Sequence, residues 1–155
     1  MEQDKAARSE ALERLEAFVG EWTVEASFPG APPSDLRGEV VFEWLLGREF
    51  LVQRLTIPHP DAPDSFAIIG PDQEGDAYTQ HYFDSRGVAR LYAMALREGV
   101  WKLWRDSPDF TPLNFSQRFT ASFSDDGNTI DGAWETSDDG SSWEHDFGLT
   151  YRRVT

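Results

Sequence analysis

The stretch Ser9-Glu-Ala-Leu-Glu-Arg-Leu-Glu-Ala-Phe-Val-Gly-Glu-Trp-Thr-Val-Glu-Ala-Ser-Phe28 changes its hydrophobic period at Gly20. Before the glycine, Ala11, Leu12, Leu15 and Phe18 recur three or four residues apart, with Glu and Arg between them. That is the apolar stripe of an amphipathic helix. Ser9 suits its N-cap and Gly20 its stop, which makes Ser9–Phe18 a short N-terminal helix and residues 1–8 a flexible lead. After the glycine, Trp22, Val24, Ala26 and Phe28 alternate with Glu21, Thr23, Glu25 and Ser27, the pattern of a half-buried strand. The helix is thus placed to lay Leu12, Leu15 and Phe18 over one end of whatever follows.

The period of two persists to the C-terminus. Phe115, Gln117, Phe119, Ala121 and Phe123 fall on one face of a strand, and Trp143, His145, Phe147, Leu149 and Tyr151 on one face of another. Less regular runs lie at Leu36–Leu46, Glu49–Ile57, Ser65–Ile69, Ala77–Asp84, Val88–Arg97, Val100–Asp106 and Thr129–Glu135. Between them stand hairpin turns such as Asp72-Gln-Glu-Gly75, Asp84-Ser-Arg-Gly87, Arg97-Glu-Gly99 and Asp125-Asp-Gly-Asn128, and two proline loops at Pro29–Pro33 and Pro58–Pro63. Short connections join neighbouring strands antiparallel. Every run has one apolar and one polar face, and closure removes the edges that an open sheet would leave. The expectation is an all-β fold, an up-and-down antiparallel barrel of about ten strands, with residues 9–155 as a single domain.

Composition bounds what such a barrel does. A chain of 155 residues supports one core, and 14% aromatic content with 6 Trp and 11 Phe argues against disorder. The 28 acidic against 14 basic residues leave a formal charge of −14, which repels phosphate backbones and anionic bilayers, so neither nucleic acid nor membrane is expected as a partner. No apolar run is long enough to span a bilayer, and the charged start lacks the apolar block of a signal peptide, so a cytoplasmic location is expected. The absence of cysteine excludes disulfides, thiolate metal sites and thiol catalysis.

Several residues carry a resemblance. Gly20-Glu-Trp22 after a short helix is similar to the Gly-x-Trp opening of the calycin (lipocalin-like) superfamily. The resemblance implies that an Arg of the last strand, from Arg152-Arg153, packs across Trp22. More narrowly, the chain resembles an uncharacterised bacterial calycin-like family. The matching residues are Leu15-x-x-Phe18-x-Gly20-x-Trp22, Phe42-Glu-Trp44 with Gly47, Gly70-x-Asp72, Tyr78 through Asp84-Ser-Arg-Gly87, and the hairpin from Gly132-x-Trp134-Glu135 to Trp143. This resemblance implies a lipocalin-like barrel that holds a small, largely apolar ligand. It implies no reaction.

Polar residues that share a face with apolar neighbours are the candidate ligand contacts, since a buried polar group needs a partner or a task. By parity these are Arg90 beside Tyr92, Gln117, His145 and Tyr151, with Lys102 sharing a face with Val100 and Trp104 on an ambiguous strand whose Trp101 and Leu103 are also apolar. His145 has two further readings. One is a core imidazole hydrogen-bonded to a Tyr or a carbonyl. The other is an axial haem ligand, implied by a more distant likeness to the haem-binding nitrobindins, whose continuation after Gly-x-Trp this chain lacks. His81 and Asp84 are types suited to acid–base chemistry, but Asp84-Ser-Arg-Gly87 already reads as a capped turn. His59, His81 and His145 lack metal-ligand spacing, and the Asp-Asp-Gly pairs are hairpin turns rather than calcium loops. No catalytic set stands out. The reading is therefore a ligand-binding barrel without a cofactor, more a binder than an enzyme. The alternatives are a nitrobindin-like haem protein with His145 on iron, and a side-chain-filled barrel acting as an assembly module or homodimer.

Overall fold

A computed structural model of the chain describes residues 2–32, 37–60, 62–75, 77–110 and 112–154. Leu36, expected to open the second strand, and Pro33 and Asp61 of the proline loops lie outside the described residues. Helix α1 spans Glu2–Arg14 and tightens into a 3-10 turn over Leu15–Ala17. Ten strands follow: β1 Gly20–Ser27, β2 Gly38–Leu45, β3 Phe50–Thr56, β4 Ser65–Pro71, β5 Tyr78–Asp84, β6 Ala89–Arg97, β7 Val100–Arg105, β8 Ser116–Phe123, β9 Thr129–Ser137 and β10 Glu144–Arg153. Each pairs antiparallel with its neighbours in sequence, and β1 pairs with β10, so the meander closes into a barrel without edges.

The turns do what their residues dictate. Between β6 and β7, Glu98 (φ 53°) and Gly99 (φ 77°) form a two-residue link, with Arg97 opposite Val100. Positive φ at both central positions matches the right-handed twist of the strands. Between β8 and β9, Asp126 accepts hydrogen bonds from Ser124 Oγ and the Asn128 N–H. Between β9 and β10, Asp139 accepts them from Ser137 Oγ and the N–H groups of Ser141 and Ser142. Both Asp-Asp-Gly segments are thus Asx-type turns, as their chemistry suggests.

The helix closes one end of the barrel. Ala11, Leu15 and Phe18 are fully buried, and Phe18 stacks on Phe42 at 4.9 Å between ring centroids and meets Trp101 edge-on at 4.9 Å. The helix begins at Glu2, ahead of the N-cap expected at Ser9. Good helix formers precede Ser9, and tertiary contacts hold them there. Arg8 pairs with Glu49, while Ala7 lies so close to Gly75 that a Cβ on that glycine would stand 2.5 Å from the Ala7 carbonyl oxygen. Tyr78 Oη donates to the Ala11 carbonyl at 2.7 Å, tying β5 to the helix.

Closure is finished by β10. Arg153 lies opposite Trp22 in the β1–β10 register, and its guanidinium sits 4.1 Å from the Trp22 ring centroid. The same side chain donates to the carbonyls of Val19 and Ala17 at 2.8 and 2.6 Å, and Trp22 Nε1 donates to the Phe18 carbonyl at 2.8 Å. The cation–π contact expected from the last strand is therefore present. Arg153→Met is expected to cost about 2–3 kcal/mol, since it removes that contact and two charge-assisted hydrogen bonds. Urea unfolding would measure it; a loss within about 0.5 kcal/mol, the size of an ordinary surface change, would remove Arg153 from this role.

The interior near the helix is filled by side chains. Trp101, Phe119 and Trp134 form a chain of rings at 5.1 and 5.1 Å, and Tyr92 joins Trp134 at 5.5 Å. Room is made on β9, where Gly132 lets Phe119 and Ala121 approach. A Cβ there would meet Ala121 Cβ at 2.6 Å and the Phe119 ring at 2.7 Å. Gly132→Ala should therefore lower stability by about 1–3 kcal/mol through overpacking. A calorimetric melting point equal to the parent's would contradict this packing.

Candidate functional site

The end of the barrel opposite the helix is bounded by the connections β1–β2, β3–β4, β5–β6, β7–β8 and β9–β10. Exposure differs between the ends. Inward residues near the helix, such as Phe18, Trp22 and Phe42, are at most 1% exposed, while Leu55, Tyr82, Arg90, Trp134 and Leu149 also face inward but are only half-buried. Inner side chains are thus more exposed toward the loop end than beside the helix.

Three inward side chains meet there. Gln117 Oε1 accepts from Arg90 Nη1 at 3.1 Å and from Tyr92 Oη at 3.1 Å. Arg90 also lies 5.8 Å from the Phe115 ring, and among the described residues no carboxylate pairs with it. Arg105, by contrast, is neutralised. It donates to Asp109 through Nε at 2.8 Å and Nη2 at 3.0 Å, and both side chains are only 3% exposed. Asp109 also accepts from the Leu91 N–H at 2.8 Å, which seals the β6–β7 seam where β7 has ended. Burial pushes the Tyr92 phenol up, against the opposing hydrogen bond and charge of Arg90, so it stays protonated and donating at neutral pH.

Tyr151 lies deeper, buried beside Trp101 at 5.9 Å between ring centroids. Burial pushes its phenol up to about 12, partly offset by a hydrogen bond with Gln53. Among the described residues, two buried polar atoms of the interior have no hydrogen-bond partner: the acceptor Gln80 Oε1 on β5 and the donor Trp101 Nε1 on β7. Each costs about 1–3 kcal/mol while unsatisfied, which a small polar guest or a buried water would relieve.

The structure therefore brings Arg90, Tyr92 and Gln117 together and keeps Tyr151 inside, but it moves two expected contacts to the outer wall. Trp104 faces outward, 37% exposed, because Trp101, Leu103 and Arg105 take the inner face of β7. His145 is exposed as well. A β-bulge between His145 and Phe147 adds one residue to β10, so Phe147, Leu149 and Tyr151 point inward while His145 pairs with outward-facing Glu135. The reading of His145 as a lumen-facing haem ligand, and as a core histidine, is corrected on that ground. His81 is exposed on the outer face of β5, on the opposite side of the strand from Tyr82 and Asp84, so no His81–Asp84 dyad forms.

Residues that the sequence did not single out complete the inner wall. Arg105 becomes an inner residue once Trp101 and Leu103 are taken as the inner face, a parity signal already in the sequence. Asp109 comes from the β7–β8 loop, for which no periodicity exists. Two surface depressions lie outside the lumen. One, of about 150 Å³, is at the β9–β10 turn around Asp139, and another, of about 320 Å³, lies on the wall between Trp104, Arg118 and Glu135.

No family model matches the chain, and no curated protein matches it in sequence. The crystal structure of Rv2717c from M. tuberculosis is similar to it, with a TM-score of 0.62 at 15% identity, over 94% of this chain and 98% of that one. What the two share is a barrel. At that identity the likeness extends to the fold and no further.

Asp84 closes the β5–β6 turn at the rim of the lumen. It accepts from Tyr82 Oη at 2.9 Å, from the Arg86 N–H at 2.9 Å and from the Arg86 guanidinium at 2.6 Å. Burial would raise its pKa, but the hydrogen bonds from Arg86 and Tyr82 outweigh it and hold the carboxyl near 2 against an ordinary 3.8. A depressed folded-state pKa contributes stability that is complete above the unfolded value and is lost as pH falls toward the folded one. The stability difference between the parent and Asp84→Asn should therefore be constant from neutrality down to about pH 5 and shrink between about pH 4 and 2. Paired urea titrations across that range would test it; a difference that grows on acidification would refute the assignment.

Proposed function

We propose that the barrel binds a small, largely apolar molecule with an anionic end. The guest enters at the loop end and sets its charged group against Arg90, with Tyr92 and Gln117 beside it. The observation that carries this reading is Arg90 itself: an inward-facing, half-buried guanidinium without a carboxylate partner among the described residues, in a chain of net charge −14. A cation left in that position costs desolvation and is compensated when an anion reaches it. The half-buried Trp134, Leu149 and Leu55 supply apolar wall for the rest of the guest. The packed helix end limits its size, so a medium-length chain or a single ring system fits this reading better than a large macrocycle. The role on this reading is binding.

The test uses anilinonaphthalene sulfonate as a fluorescent probe, displaced by decanoate, decanol or decylamine. Decanoate is expected to displace the probe best and to raise the melting temperature. Arg90→Met should weaken decanoate about tenfold or more, the equivalent of one lost charge-assisted contact, and leave decanol unchanged. Equal displacement by decylamine, or an Arg90→Met protein that binds decanoate as the parent does, would refute the proposal.

A further inference from the structure

The inner wall toward the loop end carries two guanidiniums, and the fold treats them differently. Arg90 on β6 and Arg105 on β7 converge on the same two neutral side chains. Arg90 donates to Gln117 Oε1, which also accepts from Tyr92 Oη, while Arg105 stands directly opposite Gln117 in the β7–β8 register. The charges of Arg105 and Asp109 both reach the Tyr92 phenol. Strand β7 stops at Arg105 whereas β6 extends to Ala89, so the Leu91 N–H has no partner on β7. Asp109, from the β7–β8 loop, fills that gap with a side chain. Its carboxylate accepts from the Leu91 N–H at 2.8 Å and from Arg105 Nε and Nη2 at 2.8 and 3.0 Å. Carboxylate and guanidinium are each 3% exposed. At the rim, Arg86 is paired in the same way with Asp84. Among the described residues Arg90 has no carboxylate, so the two inner guanidiniums and the one loop carboxylate leave a single positive charge beside Tyr92 and Gln117.

We propose that Asp109 is a specificity-determining residue, which restricts the guest to a single negative charge. The proposal rests on the reading of Arg90 as the anion contact. By pairing with Arg105, Asp109 takes the place that a second anionic group of the guest would otherwise occupy. A monoanion on Arg90 then completes the charge balance of the inner wall. A dianion brings one charge too many. Its second charge finds Arg105 already paired, lies near the Asp109 carboxylate, and gives up hydration without gaining a counter-ion. The chain's net charge of −14 opposes the excess charge further. Discrimination of this kind uses a repulsive element as well as an attractive one. Removing the Asp109 charge reverses the balance. Arg105 becomes a second buried cation without its counter-charge, and a dianionic head then compensates both guanidiniums.

Octyl sulfate and octyl phosphate test this. Both heads are tetrahedral and similar in size, and at a pH of about 8.5 they carry about one and about two negative charges. Each is titrated against anilinonaphthalene sulfonate bound to the full chain. The parent is expected to take octyl sulfate about tenfold or more tightly than octyl phosphate. Asp109→Asn should move that ratio about tenfold or more toward the phosphate. Asp109→Glu, which keeps the charge, should keep the parent's preference. The double variant Arg105→Gln/Asp109→Asn, with neither member of the pair charged, should return to it. A residue that only held the loop in place would not move the ratio with charge in this way. The parent's ratio needs no variant, and with the double variant it decides the matter where Asp109→Asn fails to fold. If octyl sulfate loses affinity in Arg90→Met, the anion contact stands. Octyl phosphate bound to the parent as tightly as octyl sulfate, or a ratio unchanged in Asp109→Asn, would then overturn this inference alone. Octyl sulfate that binds the parent and Arg90→Met alike would overturn the reading of Arg90, and this inference with it.

Discussion

The structure depends on one closure: β1 against β10, locked by Arg153 across Trp22. The two residues of that contact stand at opposite ends of the chain, and the Arg153–Val19 hydrogen bond spans 134 positions. Every other pairing is between sequence neighbours, reached through a tight turn or a single loop. This last pairing is the non-local one, and loop-closure entropy opposes it until the rest of the sheet is in place. Its chemistry suits the burden. A guanidinium satisfies helix-end carbonyls and a ring face at the same time, so one side chain joins the last strand, the first strand and the end of the helical segment.

Closure has two consequences that pull in opposite directions. At the helix end it lets the rings of Phe18, Phe42, Trp101 and Phe119 meet one another inside the lumen, each at most 1% exposed, and here the barrel is a core. Toward the loop end the inner residues become polar: Gln117, Arg90, Tyr82 and the Arg105–Asp109 pair. The same ten strands thus make an apolar core at the helix end and a more polar, more exposed inner wall at the loop end.

Much of the fold was legible in single residues. Gly20 marks the change of period, and Glu98-Gly99 and the Asp-Asp-Gly segments mark hairpins. Arg90, Tyr92 and Gln117 emerge from parity because β6 and β8 alternate without interruption. Parity fails where alternation is broken. On β10 one bulged residue reverses the facing of everything before it, and no property of Asp146 announces the bulge. On β7 both faces carry a Trp, so the pattern has two solutions, and packing against Met94 and Phe119 chooses the one that buries Trp101 and Leu103.

The amino-acid order by itself determined the class of this protein, the number and direction of its strands and the pairing of neighbours, because those follow from local periodicity and turn chemistry. It also determined that Arg152 or Arg153 would meet Trp22, through the resemblance carried by Gly20-Glu-Trp22. Only the tertiary structure decided that His145 and Trp104 face outward, and that Asp109 pairs with Arg105 while Arg90 meets Gln117. Facing depends on register, and register depends on bulges and on competition between faces. Charge pairing depends on which loops fold over which strands. Both are set by contacts between residues far apart in the chain, which no local pattern records.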